Sequence, residues 1–301
     1  MPNSHRRGRG RGYLLLLHPG PSAVCTLVTV ASGWSAWHQG SRDVRPELRC
    51  RRRLALAGAA MALAQVSTGM LNDAFDAPWD RLYQPYKPIP TGVVPRTHAW
   101  LLGLASGGGA LLCARGAGRP ARRLMFWGLA SGWSYSLGLS RTPLSFLPFA
   151  GGLVTVPLLG PAAVGVPLPG RGQLAVIAAG VGLGLHLANG GPDIERDRLA
   201  GRRSLPVLLG ESGSRDAGQL LLGAGALAVA AASPRRGRGW ALAGAAACLG
   251  LVSAERLLSP RTRAQGRHPF VIPVLAGGAL GMGWLMARSR GGAGDHEKPA
   301  G

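Results

Sequence analysis

The sequence predicts an all-α integral membrane protein, with about nine transmembrane helices in a bundle. Hydrophobic residues make up 47% of the 301 residues and charged residues only 16%, compared with about 25% charged residues in ordinary soluble domains. The charges are also segregated into short arginine-rich clusters. The stretches between these clusters are apolar and roughly 20 residues long, which is the length of a membrane-spanning helix.

Nine apolar stretches are candidate spans. Tryptophans lie near the ends of several stretches, as is typical of side chains at the membrane–water interface. The 48 glycines suit the close packing of helices in lipid. Several stretches are short or glycine-rich, so eight spans is the alternative count. The candidates are residues 20–38, 54–73, 97–114, 122–139, 144–162, 173–190, 217–232, 240–257 and 269–287.

A single membrane domain, residues 13–290, is expected between two polar termini. Residues 1–12 are basic and residues 291–301 contain no apolar run, so we expect both segments to be disordered. The apolar run at residues 13–17 is too short for the core of a signal peptide, because His18-Pro19-Gly20-Pro21 interrupts it.

The formal net charge of +21 raises the possibility of a nucleic-acid partner. The basic clusters punctuate the apolar stretches and do not line one polar domain, so we expect no nucleic-acid partner. Short basic loops beside apolar spans instead favour anionic lipid head groups. Lysine and arginine divide equally between the two sides of the predicted bundle, so the charge distribution does not determine its orientation.

Two long polar connections follow the second and the sixth candidate spans, and each carries the pattern Asn-x3-Asp-x3-Asp. Four candidate spans separate the two connections. Because four is an even number, both connections are expected on the same face of the membrane. The patterned residues are Asn72, Asp76 and Asp80 in the first motif and Asn189, Asp193 and Asp197 in the second motif.

The local sequence predicts how each motif is built. Residues four apart share one face of a helix, so the asparagine and the first aspartate of each motif should project together. Pro78 and the Gly190-Gly191-Pro192 run should end or loosen the two helices. We therefore expect Asp80 and Asp197 in the turns beyond the helices.

Carboxylates at a membrane edge are costly to desolvate and usually mark function. Magnesium prefers oxygen ligands, and it commonly binds one or two carboxylates together with substrate phosphates and water. Two facing motifs could hold two such ions and a diphosphate between them, whereas the alternative is simple polar capping of two helix ends. The candidate metal ligands are Asp76, Asp80, Asp193 and Asp197.

Basic residues near the first motif are candidates for binding phosphate. Lys87 is one of two lysines in the chain, and its loop follows the acidic cluster directly. A lysine binds phosphate as a point charge. Arg81 could also bind phosphate, and its alternative role is an ion pair with Asp80.

The first motif has a more specific resemblance. It reads Asn-Asp-x2-Asp-x3-Asp from Asn72 to Asp80, and Lys87-Pro-Ile-Pro-Thr-Gly follows it. This combination resembles the first signature of the UbiA superfamily of intramembrane prenyltransferases. The resemblance extends over roughly residues 18–287 in the same order and spacing.

Two further segments extend the resemblance. The pattern Asp193-x3-Asp197-x3-Gly201 is followed by Ser204-Leu-Pro-Val and resembles the second signature of the family. Tyr135-Ser136, followed by Arg141 and Pro143, resembles the end of the family's fourth helix. Many members have Lys-Arg where this chain has Ser-Arg, so Arg141 would act without a neighbouring lysine.

The resemblance implies a fold and a set of roles. It implies nine helices around a central cavity, with both motifs on the cytoplasmic face of a bacterial plasma membrane. Tyr135 would line the cavity near the reacting carbon and Arg141 would contact phosphate. The motif residues that would bind Mg2+ and a prenyl diphosphate are Asn72, Asp76, Asp80, Asn189, Asp193 and Asp197.

The predicted function is Mg2+-dependent transfer of a prenyl group from an isoprenyl diphosphate to an acceptor, with an aromatic acceptor favoured. The face of Tyr135 could stabilise an allylic cation. His186 is expected to be a hydrogen-bonded core histidine, and the alternative is that it orients an acceptor hydroxyl.

Two alternative functions remain open. A terpene cyclase of the same family would use the same diphosphate site without an acceptor. A divalent-cation transporter is disfavoured because both motifs end their spans, whereas transport sites lie near the bilayer midplane. Soluble prenyl synthases also use aspartate-rich motifs, but the nine apolar stretches exclude them.

Overall fold

A computed structural model of the chain describes residues 10–39, 47–166, 170–264 and 271–291. Of the described residues, 88% are helical and none lies in a strand, which confirms the all-α class. The helices are α1 (Gly10–Leu16), α2 (Pro19–Gln39), α3 (Glu47–Tyr83), α4 (Arg96–Ala117), α5 (Arg119–Leu137), α6 (Phe146–Val164), α7 (Arg171–Gly190), α8 (Ile194–Leu199), α9 (Leu205–Ala232), α10 (Arg238–Ala264) and α11 (Val271–Gly291).

The long helices coincide with the candidate spans. In the described chain, nine helices have 19 residues or more, and they match the nine predicted stretches in order and position. By length and composition, three helical stretches could cross a membrane: α3, α6, and Arg171–Leu199, which contains α7 and α8. Helices α1 and α2, bent by 51° at their junction, could form a fourth span. The number of nine membrane spans therefore stays a prediction.

Small residues allow the helices to pack closely. Helix α3 packs against α2, α4, α5 and α6, whereas α7 packs against α6 and α9. Helices α10 and α11 pair, and α11 returns to α2. At the α2–α6 crossing, a Cβ on Gly160 would lie 2.1 Å from the Thr29 carbonyl oxygen, so only glycine allows this approach.

Helix α3 continues through Pro78, so the predicted helix end there is wrong. A proline cannot donate the helical hydrogen bond to the carbonyl four residues earlier, which here belongs to Ala74. The Arg96 side chain supplies the missing donor, because its Nε donates to the Ala74 carbonyl oxygen at 2.7 Å. Asp80 consequently lies in the last turns of α3 and not in a following turn.

The second motif is broken as predicted, but its last aspartate is helical. Helix α7 ends at Gly190, a 3-10 turn covers Gly191–Asp193, and α8 follows. Asp197 therefore lies in α8 and not in the predicted turn. Residues 10–12 and Gly291, which the sequence assigned to disordered termini, instead begin α1 and end α11. Residues 1–9 and 292–301 lie outside the described residues.

Candidate active site

The two motifs come together at Arg202. Its Nη2 lies 3.6 Å from Oδ1 of Asp76 in the first motif, and its Nη1 lies 3.2 Å from Oδ1 of Asp197 in the second. The Arg202 side chain is only 14% exposed. Its guanidinium also lies 4.9 Å from the ring centroid of Trp79 on α3, which is a cation–π contact. Arg202 thus joins the motifs that the sequence predicted to share one face.

Arg202 was not among the predicted site residues. It belongs to an arginine pair that resembles the other basic clusters between apolar stretches. Its position five residues after Asp197 was the available signal, because a side chain this close to the motif can return to its carboxylate.

Lys87 is the cation that pairs with Asp80 at the end of the first motif. Its Nζ lies 2.9 Å from Oδ2 of Asp80 and 3.5 Å from Oδ1 of Asp73. Oδ2 of Asp73 lies 3.3 Å from Nε2 of His18. Burial lowers the pKa of Lys87, but the neighbouring carboxylates outweigh this effect and raise the pKa above its usual value. Lys87 is therefore held in its charged form, and Asp73 and His18 join the predicted site.

A compact loop presents Lys87. The Thr91 hydroxyl donates to the carbonyl oxygen of Lys87 at 2.9 Å, and the Val94 amide donates to the Pro88 carbonyl oxygen at 3.0 Å. Ile89 and Val94 are buried against α3 and α4. The loop is therefore anchored in the protein core, which sets the position of the lysine.

Local ion pairs hold the second motif. Asp193 is paired with Arg196, and Glu195 is paired with Arg198 at 2.8 Å. With its amide group turned to match its neighbours, Gln84 accepts hydrogen bonds from both terminal nitrogens of Arg196 at 2.9 and 2.8 Å. This contact is a second link between the motifs.

Tyr135 lies close to carboxylates of both motifs. The side chains of Asn189, Asp76 and Asp197 all lie within electrostatic range of the Tyr135 hydroxyl. Its ring packs edge-on against Phe149, with 5.2 Å between the centroids. An aromatic face is therefore close to the carboxylates.

His186 is a buried, hydrogen-bonded histidine, as expected. Its Nε2 lies 2.9 Å from the Ser145 hydroxyl, which also accepts a hydrogen bond from the Leu205 amide at 3.0 Å. Its ring lies 5.9 Å from that of Tyr135. Through Ser145, His186 thus connects α7 to the start of α9, next to the rings of Tyr135 and Phe149.

The remaining predicted residues lie around this centre. Arg141 is half exposed, with its Nη2 at 3.9 Å from Oδ1 of Asp76. Asn72 is partly buried on α3. Arg81 is exposed, and Lys87 rather than Arg81 pairs with Asp80.

The carboxylate oxygens of the two motifs suit a metal that also binds phosphate. In the described parts of the chain, no group of three or more His, Cys, Asp or Glu side chains could hold an ion alone. Each of the four motif aspartates uses a single carboxylate oxygen in these ion pairs. This oxygen is Oδ1 in Asp76, Asp193 and Asp197 and Oδ2 in Asp80. Carboxylate oxygens supplemented by phosphate and water are what Mg2+ prefers. The residues therefore fit a metal–diphosphate complex better than an isolated ion.

Two cavities adjoin α7. An apolar cavity of about 80 Å3, lined by Val28, Leu153, Leu185 and Trp284 among others, lies between α2, α6, α7, α9 and α11. A cavity of about 400 Å3 lies on the other side of the second motif, and Arg198 is among its lining residues.

Comparison with known proteins agrees with this architecture. The model of the UbiA prenyltransferase family matches residues 25–285. The chain is 32% identical to digeranylgeranylglyceryl phosphate synthase of Pyrococcus abyssi over 165 residues, which cover 53% of this chain and 57% of that protein. It is 28% identical to chloroplastic chlorophyll synthase of Arabidopsis thaliana over 203 residues, which cover 63% of this chain and 51% of that protein. The matched region thus spans a little over half the length of these two relatives.

Solved structures share the fold. The structure of a UbiA homologue from Archaeoglobus fulgidus bound to GPP and Mg2+ superposes with a TM-score of 0.64 and 18% identity. The superposition covers 92% of this chain and 99% of that chain. Because the family model matches most of the sequence, and this fold agrees with it, the chain belongs to the UbiA prenyltransferase family.

Proposed function

We propose that this protein is a membrane prenyltransferase that binds a prenyl diphosphate with Mg2+ between its two aspartate motifs and transfers the prenyl group to a small acceptor. The observation that carries this proposal is the ion-pair bridge from Asp76 through Arg202 to Asp197. It joins carboxylates and cations in one place, as a metal-bound diphosphate requires. The names of the relatives and the GPP and Mg2+ bound to the homologue support the same reaction class.

The carboxylates would hold the metal. Asp76 and Asp80 would act from the first motif and Asp193 and Asp197 from the second, with Asn72 and Asn189 supplying amide oxygens to metal or water. Bound Mg2+ would neutralise the diphosphate and so favour its departure.

Basic side chains would bind the phosphate oxygens. Lys87 and Arg202 lie among the carboxylates, so a diphosphate at the motifs is within their reach. Arg141 lies at the open edge of the same centre. These cations neutralise the aspartates in the structure, and a metal–diphosphate complex can replace them in that role.

Tyr135 and Phe149 would receive the reacting end of the prenyl chain. When the C–O bond breaks, the diphosphate leaves with the electron pair and an allylic cation develops. An aromatic face stabilises such a cation, and a water-poor cavity protects it. The acceptor then forms a bond to the allylic carbon and loses a proton. The apolar cavity, which includes Leu185 beside His186, would hold part of the isoprenoid tail.

Product analysis tests the proposal. Purified protein in lipid nanodiscs is incubated with labelled prenyl diphosphates of several lengths and Mg2+, with and without aromatic acceptors. We expect a prenylated acceptor and stoichiometric pyrophosphate, both abolished by EDTA. A cyclic hydrocarbon formed without acceptor would identify a cyclase instead, and metal flux in proteoliposomes without any diphosphate would identify a transporter.

We also propose that the motif face is cytoplasmic, in the plasma membrane of a bacterium. The resemblance of the motifs to the family signatures supports this orientation. Tyr86 is an exposed residue of the motif-side loop, so Tyr86→Cys provides a labelling site. A membrane-impermeant thiol reagent should label it in inverted vesicles but not in intact cells, and labelling in intact cells would reverse the orientation.

A further inference from the structure

We propose that His18, at the junction of α1 and α2, is a positioning residue for the diphosphate site. It holds Asp73, and through Asp73 it sets the position of Lys87. This role rests on the proposed prenyltransferase function, in which Lys87 binds phosphate.

The contacts form a continuous chain across the site. Nε2 of His18 lies 3.3 Å from Oδ2 of Asp73, and Oδ1 of the same carboxylate lies 3.5 Å from Nζ of Lys87. Lys87 in turn lies 2.9 Å from Oδ2 of Asp80. Asp73 is buried, and a buried carboxylate requires partners for its oxygens. His18 satisfies one oxygen, which leaves Lys87 closer to Asp80 than to Asp73.

Helix α1 is docked onto the elements that form the site. Leu16 is only 1% exposed and packs with Met70 of α3 and with Ile89 of the Lys87 loop. The Tyr13 hydroxyl lies 2.8 Å from Nδ1 of His98 on α4. The segment that carries His18 is therefore fixed against both the first motif and the loop that presents Lys87.

The backbone at His18 is adapted to this position. Its φ of 46° is in the left-handed region, which residues other than glycine seldom adopt. This conformation lies at the 51° bend between α1 and α2. Non-glycine residues held in this region cluster at functional sites, where surrounding contacts enforce them.

Helix α3 also leaves space for the histidine. A Cβ on Gly69 would lie 2.6 Å from Cδ2 of His18 and 3.1 Å from the Leu16 carbonyl oxygen. Gly69 lies one helical turn before Asp73, so the missing side chain is on the path of the imidazole. A glycine here permits the approach of His18 to Asp73.

His18 thereby determines where the ammonium group of Lys87 lies. Without His18, the free oxygen of Asp73 would compete for Lys87 and draw it away from Asp80 and from the phosphate. Diphosphate binding should therefore weaken, whereas the chemical step at the allylic carbon should change much less.

A double-mutant cycle tests this coupling. The variants are His18→Ala, Asp73→Asn and the double variant, assayed in nanodiscs with GPP, and with inorganic pyrophosphate and Mg2+ as a tail-free competitor. We expect His18→Ala to raise KM for GPP and Ki for pyrophosphate roughly tenfold, as for loss of one hydrogen bond to a charged group, with kcat within about twofold. In the Asp73→Asn background, His18→Ala should add nothing, because its partner is already neutral.

Further variants separate positioning from folding. His18→Gln keeps an N–H donor near the position of Nε2 and should recover most of the affinity, whereas Gly69→Ala should weaken pyrophosphate binding by displacing the imidazole. His38→Ala removes an exposed histidine at the other end of α2 and serves as the control. This variant should leave Ki unchanged.

The outcomes distinguish the two proposals. A wild-type protein that neither binds pyrophosphate nor turns over GPP with any acceptor contradicts the proposed function itself. An active wild type whose Ki is unaffected by His18→Ala, or is affected equally in the Asp73→Asn background, overturns only the positioning role. Equal losses in His18→Gln and His18→Ala would also overturn it.

Discussion

The two aspartate motifs have the same spacing but different structures. The first motif lies on one continuous helix of 37 residues, and the second is divided between α7, a 3-10 turn and α8. At equivalent positions of the pattern, the side chain of Asp76 is 24% exposed and that of Asp193 is 39% exposed, whereas Asp80 is 3% exposed and Asp197 is 15% exposed. The same ligand pattern is thus presented by a rigid, buried element on one side and a broken, more open element on the other.

The difference reflects how each motif is held. In the first motif, the partners of Asp73 come from positions 14 residues later and 55 residues earlier in the chain. In the second, the pairs of Asp193 and Glu195 are made three residues along the chain. A residue held by contacts with distant parts of the chain can move only if those parts move with it. We therefore expect the second motif, which is held by local ion pairs, to be the motif that adjusts when substrate binds.

The largest expected effect is loss of a metal-binding carboxylate from either motif. Asp76→Ala and Asp193→Ala should each reduce turnover on the order of a thousandfold, because each removes a ligand that supports several kcal/mol of charge stabilisation. The measurement is pyrophosphate release with a prenyl diphosphate and acceptor. Glu195→Ala is the matched control, since it removes a carboxylate from the second motif that is 72% exposed. Full activity in either aspartate variant would refute the metal assignment.

The next prediction compares the loss of a basic partner from the first motif with the loss of one from the second motif. Lys87→Met leaves the buried carboxylates of Asp73 and Asp80 without their ammonium partner, and we expect a loss of about 3 kcal/mol in stability. Arg196→Met removes the partner of the more exposed Asp193 together with two hydrogen bonds to Gln84, and should cost less, about 1 kcal/mol. Thermal unfolding in nanodiscs compares them, and equal losses would contradict the distinction between a buried and an open motif.

Much of the fold and part of the candidate site could be predicted from the sequence. The apolar stretches located the long helices, and the even number of stretches between the motifs predicted their common face. The effect of Pro78 could not be predicted, because the arginine that compensates for it is 22 residues away from Ala74. Neither could the contact between His18 and Asp73, since spacing along the chain carries no information about a contact across 55 residues. Arg202 was not identified as a site residue, because arginines are frequent throughout the chain.

A smaller effect separates the two glycines at the break in the second motif. A Cβ on Gly190 would lie 2.5 Å from Cγ of Pro206, whose ring cannot rotate away. Gly191 has helical angles and nothing within 4 Å of an added Cβ. Gly190→Ala should therefore displace the motif, lower activity about tenfold and cost about 1–3 kcal/mol through overpacking.

Gly191→Ala is the matched control for this displacement. It should leave activity unchanged and stabilise the fold by about 0.4–1 kcal/mol, because alanine restricts the unfolded chain. Pyrophosphate release and thermal unfolding measure both effects. Equal activity in the two variants would mean that the α7–α9 contact does not set the position of Asp193.

The smallest effect is expected for Arg198, even though it lies four residues from Arg202 in the same basic segment. The Arg198 side chain is 56% exposed, and its 2.8 Å ion pair with Glu195 lies in water, where such pairs contribute little. Arg198→Ala should change stability by less than about 0.5 kcal/mol and activity by less than about twofold. Arg202→Ala should instead lower kcat/KM about a hundredfold, because it leaves Asp76 and Asp197 without the cation that they share. If both variants behaved alike, the arginines would act through overall charge, and the bridge between the motifs would not explain activity.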